Sequence, residues 1–217
     1  DINREGWVDM AVANDENAGA LWMNQKNGMF RDEGVQRGFA YNAQGIVEAG
    51  MGIDAVDIDN DLDFDLFATH IDGELNTLYV NDGGYCEDKT TRFALAAARP
   101  FTGFGTSIAD FNNDSYLDIY VANGRVITGQ GAHNRADPYA EPDQLWQGRS
   151  DATFDEVMPR GGTSALLNHT GRGAAFGDYD NDGRDDIVLG LSNGIAVYHN
   201  EGGGRFRNVT GSTGLQF

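Results

Sequence analysis

Hydrophobic residues along the chain fall into short runs separated by turns rich in Gly, Asn and Asp. No segment repeats its apolar residues at the 3.6-residue period of a helix, so we expect few helices. Short runs bounded by such turn residues predict β-strands. The runs recur in a fixed order. The first kind spans 8–12, 66–69, 119–122 and 187–191, and the second kind ends at Asn24, Asn81, Gly148 and Asn200.

A third kind of run follows the turn after the second, and it begins with an aromatic residue. Phe30, Phe154 and Phe206 begin it in three units, whereas Cys86 and Phe93 lie in that neighbourhood in the remaining unit. Each unit therefore predicts about four short strands.

An acidic loop precedes the first run of every unit. The loops start at Asp1, Asp57, Asp110 and Asp178, and the last three follow a Gly-x-Gly pair. Four-stranded units in radial repetition predict an all-β fold, a β-propeller whose adjacent blades bury one another's faces. A stacked sandwich is the alternative, but it would not need the same loop at the same place in each unit. We expect one propeller region, with a partial blade at 1–45 and blades at about 46–98, 99–160 and 161–217.

The composition adds a strong acidic balance, with 34 acidic against 15 basic residues and a formal net charge of −19. This balance argues against binding to nucleic acid, which needs a basic face, and against docking on anionic membranes. No stretch approaches the roughly 18 apolar residues that cross a bilayer. The single cysteine, Cys86, leaves no intramolecular disulfide and no cysteine-based zinc site, so we expect it to pack in the core.

The clustering of the acids in the loops favours calcium binding. Ca²⁺ takes six to eight oxygens, which alternate acidic or amide side chains of a tight loop can supply. We expect side-chain ligands at loop positions 1, 3, 5 and 9, a backbone carbonyl at position 7, and Gly at position 6 for the turn. The predicted ligands are Asp1, Asn3, Glu5 and Asp9; Asp57, Asp59, Asp61, Asp63 and Asp65; Asp110, Asn112, Asp114, Tyr116 and Asp118; and Asp178, Asp180, Asp182, Arg184 and Asp186.

These loops differ from an EF-hand and from one another. An EF-hand needs Glu at position 12 and flanking helices, but position 12 of all four loops lies in an apolar run. The loop at 178, with Gly183 at position 6, is the best formed. Leu62 at that position predicts strain in the loop at 57, and Asn112 predicts weaker binding in the loop at 110. The loop at 1, with the longer Glu5, is the least well defined.

The repeated unit resembles a known family. Gly-x-Gly, the acidic loop and the apolar strand together resemble the FG-GAP (VCBS) repeat of integrin α-subunit propellers. The segments 171–183, 139–146 and 153–157 also resemble the ASPIC/UnbV group, which is related to cartilage acidic proteins and common among secreted bacterial proteins. The resemblance implies a seven-bladed, typically extracellular propeller with structural calcium sites. Because the chain supplies three blades and part of a fourth, we expect a piece of a larger ring.

The segment 124–143 is the longest without strand character, and it holds His133, Arg135, Asp137 and Tyr139. Long loops on such scaffolds often form ligand surfaces, although a loop without a ligand is the simpler interpretation. We interpret Arg172 as structural. The remaining histidines are interpreted as isolated structural side chains: His70, His169 and His199.

The sequence as a whole favours a non-enzymatic, calcium-binding propeller that binds a protein or a glycan outside the cell, at the cell surface or in the periplasm. The binding role comes from the resemblance alone. The alternative is a secreted enzyme acting on polysaccharide, with its site at the propeller centre or in the segment 124–143.

Overall fold

A computed structural model describes residues 1–95, 100–126, 137–164 and 167–214. These residues form short strands, with single 3-10 turns at Arg160–Gly162 and Thr210–Ser212. The strands are β1 (Met10–Val12), β2 (Ala20–Asn24), β3 (Phe30–Asp32), β4 (Ile53–Val56), β5 (Asp65–Ala68), β6 (Thr77–Asp82), β7 (Tyr85–Asp88), β8 (Gly103–Ala109), β9 (Asp118–Asn123), β10 (Glu141–Pro142), β11 (Gln144–Gly148), β12 (Phe154–Glu156), β13 (Asn168–His169), β14 (Gly171–Gly177), β15 (Asp186–Leu191), β16 (Gly194–Gly202) and β17 (Arg205–Asn208).

The described strands form antiparallel sheets in which chain neighbours pair, except that β9 pairs with β11 and the intervening β10 pairs with β13. Three sheets have four strands, in the orders β4-β5-β6-β7, β8-β9-β11-β12 and β14-β15-β16-β17, and β1-β2-β3 form a three-stranded sheet. Equivalent strands keep the same register, since Leu66 pairs with Tyr79 and the equivalent Ile119 pairs with Trp146. The predicted all-β fold of four-stranded propeller blades is confirmed. The boundaries between the blades remain a prediction.

Hydrophobic cores lie between successive sheets. Strand β9 shows why: Ile119 and Val121 join the core shared with β5 and β6, whereas Tyr120 and Ala122 join the core shared with β15 and β16. Side chains of a strand alternate between its faces, so a strand with a sheet on each side is apolar throughout. This explains the uninterrupted hydrophobic runs, which an ordinary surface strand would break with polar residues.

The Gly-x-Gly pairs lie where the first strands of adjacent sheets approach each other. A Cβ atom at Gly52 would overlap the carbonyl oxygen of Phe104, and one at Gly105 would overlap the backbone nitrogen of Ala174. The first glycines of the pairs face the preceding sheet, where a Cβ at Gly103 would lie 2.8 Å from Thr69 Cβ. Only glycine permits backbones this close, which is the physical origin of the motif.

Two sequence-based expectations change in detail. The last strand of the second unit, which lacks the aromatic start of the other units, is β7, and its Cys86 pairs with Asn81. Cys86 is buried in the core as predicted. Its burial raises the pKa of the thiol to about 12. The segment 124–143 was expected to lack strands, but Glu141–Pro142 forms β10, which pairs with Asn168–His169. None of the described helices is long and apolar enough to cross a membrane.

Candidate metal centres

The carboxylate at position 1 of each acidic loop is held by its own loop. The backbone N–H groups of positions 5 and 6 donate to its two oxygens at 2.6–3.1 Å in all four loops. At Asp178 the N–H of Gly183 is the main cause that lowers the pKa of the carboxyl below its usual value. A carboxylate oxygen has two lone-pair sites, so these bonds orient the group and leave it able to bind a cation.

The carboxylate at position 9 joins the loop to the strand formed by the second kind of run, which is β2, β6, β11 or β16. One oxygen accepts the N–H of loop position 2, and the other accepts the N–H of the residue at the end of the second kind of run. The four residues are Asp9, Asp65, Asp118 and Asp186. Burial raises the pKa of Asp65 to about 6 and that of Asp118 to about 7. These side chains are therefore structural bridges whose free lone pairs lie at the base of each loop.

Carboxylates converge in two of the loops. Asp57, Asp59 and Asp61 place one oxygen each within 4.8 Å of one another. Desolvation, followed by the charge of Asp61, raises the pKa of Asp59. A second such group contains Asp178, Asp180 and Asp186.

The loop at 110 has an amide in place of the middle carboxylate. Asn112 Nδ2 donates to Asp114 Oδ2 at 2.9 Å, and Asn112 Oδ1 accepts the Asp114 N–H at 2.9 Å. The uncharged amide therefore avoids the repulsion that a carboxylate at this position would add, and it hydrogen-bonds Asp114 instead. The oxygen shell keeps its size but carries one charge fewer.

Positions 4 and 6 of all four loops adopt a left-handed backbone conformation. At position 4 the φ angles are 56–63°, and three of the four residues there are Asn, which tolerates this region. At position 6, Gly6 and Gly183 adopt it without strain, whereas Leu62 has φ 76° and Ser115 has φ 74°. The strain expected at Leu62 is therefore present, and Ser115 shares it.

Two of the side chains at position 7 have other partners, although only the backbone carbonyls at this position were predicted as ligands. Asp63 is buried, and its carboxylate pairs with Arg4 and accepts the Gly83 N–H at 2.7 Å. Arg184 pairs with Asp182 and donates to the Asn200 carbonyl at 2.7 Å. Tyr116 is exposed.

Besides Arg184 in the loop at 178, basic side chains reach two more of the loops, which the sequence analysis did not foresee. Arg4, at position 4 of the first loop, crosses to the second loop and donates to the Asp61 carbonyl at 2.7 Å. Lys26 Nζ lies 2.9 Å from Glu5 Oε2 in the first loop. Each cation offsets carboxylate charge at a predicted ligand, so the loops at 1 and 57, like the loop at 178 with Arg184, hold competitors for a metal ion.

His199 is not isolated, which corrects the sequence-based interpretation. Its Nδ1 lies 3.4 Å from Asp180 Oδ2 and 3.2 Å from Asp186 Oδ1, and its Nε2 lies 3.9 Å from Asp182 Oδ2. The sequence feature that could have indicated this is the place of His199 in the repeat. It directly precedes Asn200, whose N–H bonds the position-9 carboxylate.

The other histidines have structural partners. His70 is buried and its Nδ1 lies 2.8 Å from the Leu75 carbonyl. His169 Nε2 lies 2.8 Å from Asp143 Oδ2. Desolvation lowers the pKa of this imidazole, but the hydrogen bond and the charge of Asp143 outweigh it, so the pKa is raised.

The segment 124–143 is described in part. His133 and Arg135 lie outside the described residues. Arg125 and Glu141 form a buried ion pair at 3.0 Å, and the Tyr139 carbonyl accepts the Arg125 N–H at 2.8 Å. Arg172 donates to the carbonyls of 124, 125 and 171 and stacks on Phe104, in agreement with a structural role.

Two asparagines of the third strands link neighbouring blades through the loops. Asn81 Nδ2 donates to the Ile2 carbonyl, and Asn200 Nδ2 donates to the Phe111 carbonyl, both at 2.8 Å. Each carbonyl belongs to position 2 of the preceding loop. The acidic loops are thus part of the contact between blades.

Comparison with known proteins agrees with this geometry. The profile of the FG-GAP-like repeat matches residues 1–68, 57–121 and 178–216, which is more than half of the chain. The chain belongs to the FG-GAP-like repeat family. The three matches begin at Asp1, Asp57 and Asp178, so each FG-GAP-like repeat starts at position 1 of an acidic loop. The suspected family resemblance is confirmed.

A curated relative of the chain is cartilage acidic protein 1 of Xenopus tropicalis. The two sequences are 30% identical over 93 residues, which is 41% of this chain and 14% of the relative. The match therefore covers a small part of that protein.

Proposed function

We propose that the chain is a calcium-stabilised, non-enzymatic propeller segment that presents its blade surfaces to a protein or glycan ligand outside the cell. The observation that supports calcium most directly is the group of three carboxylate oxygens within 4.8 Å in the loops at 57 and 178. Position-1 and position-9 carboxylates are already oriented by backbone N–H groups, so a cation finds them in place. Oxygen-only shells of this kind suit Ca²⁺.

Repulsion within the loops explains why the ion would stabilise the fold. Two unit charges at 4 Å repel by about 1 kcal/mol in water and by about 4 kcal/mol at the effective dielectric near a protein surface. The loop at 57 carries Asp57, Asp59 and Asp61 in this range, and Arg4 offsets only part of their charge. A divalent ion would remove this repulsion and hold the turn in its conformation.

The sites should differ in affinity. The loop at 178 has a strain-free Gly183 and four carboxylates, so it should bind most tightly even though Arg184 pairs with Asp182. Arg4 and Leu62 weaken the loop at 57, Asn112 weakens the loop at 110, and Lys26 weakens the loop at 1. Extracellular calcium modules bind with dissociation constants of about 10⁻⁴–10⁻³ M, which suits the calcium level outside cells. This argues for an extracellular or periplasmic setting.

A groove between the loops at 57 and 110 is the surface that best suits a ligand. Its volume is about 760 Å³, and its lining includes Phe64, Arg92, Tyr116 and Arg149. Phe64 and Tyr116 are about half exposed, and both face this groove. Exposed aromatic faces beside guanidinium groups suit a sugar ring or an acidic peptide.

The calcium proposal is tested by chelation and by single loop variants. EDTA should lower the melting temperature, and Asp178→Ala should remove part of the calcium-dependent rise. Asp185→Ala is the matched control, because Asp185 is a neighbouring acid outside the predicted ligand set. Equal losses in both variants would indicate a general charge effect and contradict site binding.

The ligand proposal is tested by glycan-array and pull-down binding to the chain and to Phe64→Ala/Tyr116→Ala. Binding that the double variant loses, without turnover, supports it. Hydrolysis or lyase activity that is abolished by His133→Ala or Tyr139→Phe would favour the enzyme alternative.

A further inference from the structure

The loop at 178 contains two overlapping sets of metal-ligating groups. Asp178, Asp180 and Asp186 form an oxygen-only set, and Asp180, Asp182 and His199 form a mixed set that contains an imidazole. In each set the ligand atoms lie within 4.8 Å of one another, and Asp180 belongs to both. The second set differs in kind, because Ca²⁺ binds oxygen whereas imidazole favours transition metals.

The imidazole is placed to bind a cation rather than to hold the fold. His199 Nδ1 has no solvent exposure and no hydrogen-bond partner among the described residues, although two carboxylates lie within 3.4 Å. A buried polar atom without a partner is costly unless something binds it. The ring lies edge-on to Tyr179, with centroids 6.1 Å apart, which holds it beside the loop.

The other repeats show that this histidine is specific to one loop. The residue before the end of the second run is Met23, Val80 or Gln147 in the other three units, and none of these is an imidazole. All four precede the residue whose N–H bonds the position-9 carboxylate, so they occupy equivalent places. The fold requires no histidine there.

The separation between His199 and Asp180 also fits a small ion. Zn²⁺ binds imidazole nitrogen and carboxylate oxygen at about 2.0–2.2 Å, so neighbouring ligands of a tetrahedral ion lie about 3.3–3.6 Å apart. His199 Nδ1 lies 3.4 Å from Asp180 Oδ2, and the three ligand atoms of the set lie within 4.8 Å of one another, so Asp182 has to move closer when the ion binds. Arg184, which pairs with Asp182, is the cation that the metal would displace.

We infer that Asp180, Asp182 and His199 form a site for a zinc-type divalent transition metal, and that this ion competes with calcium for Asp180. The inference rests on the proposal that this loop binds cations. The inference adds that, among the four acidic loops, only the loop at 178 also binds a second class of metal. The loops at 1, 57 and 110 have no nitrogen ligand at the equivalent position and should bind calcium only.

The test measures Zn²⁺ and Ca²⁺ binding separately by isothermal titration calorimetry of the 217-residue chain. We expect one zinc ion whose affinity falls at least about tenfold in His199→Gln, while the calcium affinity changes less than about twofold. His169→Gln is the matched control, because His169 is equally buried and also lies beside an Asp. It should leave zinc binding unchanged.

A second measurement avoids dependence on folding of the variant. Long-range ¹H–¹⁵N spectra of the unmodified chain should show the His199 nitrogens shifting on addition of Zn²⁺ but not of Ca²⁺. Unshifted His199 nitrogens, or equal zinc affinity in His199→Gln, would overturn the inference. Calcium binding without zinc binding would refute the mixed site alone, whereas zinc binding without calcium binding would refute the proposed function and leave the mixed site standing.

Discussion

The close approach of the blades makes Gly52→Ala an informative perturbation. A Cβ at Gly52 would overlap the Phe104 carbonyl oxygen, and it would lie 2.9 Å from Thr69 Oγ1. Those two atoms form a hydrogen bond at 3.0 Å. The methyl group of alanine would therefore clash with two atoms that are hydrogen-bonded to each other between the blades. The obstacle on one side is backbone, which cannot rotate away as a flexible side chain could.

The expected cost follows from two contributions. Overpacking of a tight interior costs about 1–3 kcal/mol, and loss of the Thr69 hydrogen bond adds about 1 kcal/mol. We therefore expect Gly52→Ala to lower the free energy of unfolding by about 3 kcal/mol. For a chain of this length, about 2–4 °C of melting temperature correspond to each kcal/mol, which gives a fall of roughly 6–12 °C.

Gly173→Ala is the matched control. Gly173 is the equivalent residue of the fourth unit, and a Cβ there would meet no atom within 4 Å. Neither glycine has a positive φ, so alanine is conformationally acceptable at both positions. At Gly173 it should be neutral or stabilise by about 0.5 kcal/mol by restricting the unfolded chain. Thermal and urea unfolding would compare the two, and equal stability of both variants would refute the packing described between β4 and β8.

Three further predictions concern the acidic loops. Leu62→Gly should raise the free energy of unfolding by about 1 kcal/mol in urea unfolding, because a left-handed leucine is strained; an unchanged or lower value would contradict this. Arg4→Ala should raise the calcium affinity of the loop at 57 in calorimetry, because the guanidinium competes for Asp61; weaker binding would make Arg4 a support rather than a competitor. Burial raises the pKa of Asp65 to about 6 and of Asp118 to about 7, so the calcium-free native chain binds more protons than the unfolded chain above about pH 4. Its stability should therefore fall as the pH rises from about 4 to 7, while the calcium-dependent rise in melting temperature should grow over that window. Parallel melting curves in chelator and in calcium across that pH range check both trends, and a calcium effect that is independent of pH would contradict them.

The repeated features of the fold could be predicted from sequence because each repeat presents them again. The acidic loop, the two apolar runs and the Gly-x-Gly pair recur in register, and alternation on β9 explains why the runs are apolar throughout. The last strand of the second unit was harder, because Cys86 stands where the other units have Phe. β10 was missed because Glu141 and Pro142 have little strand propensity and pair with a distant segment.

The candidate sites could be predicted only as far as local spacing reaches. Spacing within a loop identifies Asp178, Asp180 and Asp186, and the structure brings these three together. It cannot reveal groups from elsewhere in the chain, such as Arg4 on the next loop or His199 on the third strand. These contacts depend on how the blades and hairpins pack, which a single loop sequence does not specify.

Calorimetric unfolding of the 217-residue chain across a calcium titration tests the central claim most directly. A site with a dissociation constant of about 10⁻⁴ M stabilises by about 2.7 kcal/mol at about 10 mM Ca²⁺, so two such sites should raise the melting temperature by roughly 10–20 °C over chelator. Asp178→Ala should remove about half of that rise. A melting temperature that does not change between chelator and 10 mM Ca²⁺ at constant ionic strength would contradict the account, because the acidic loops would then hold the blades together without an ion.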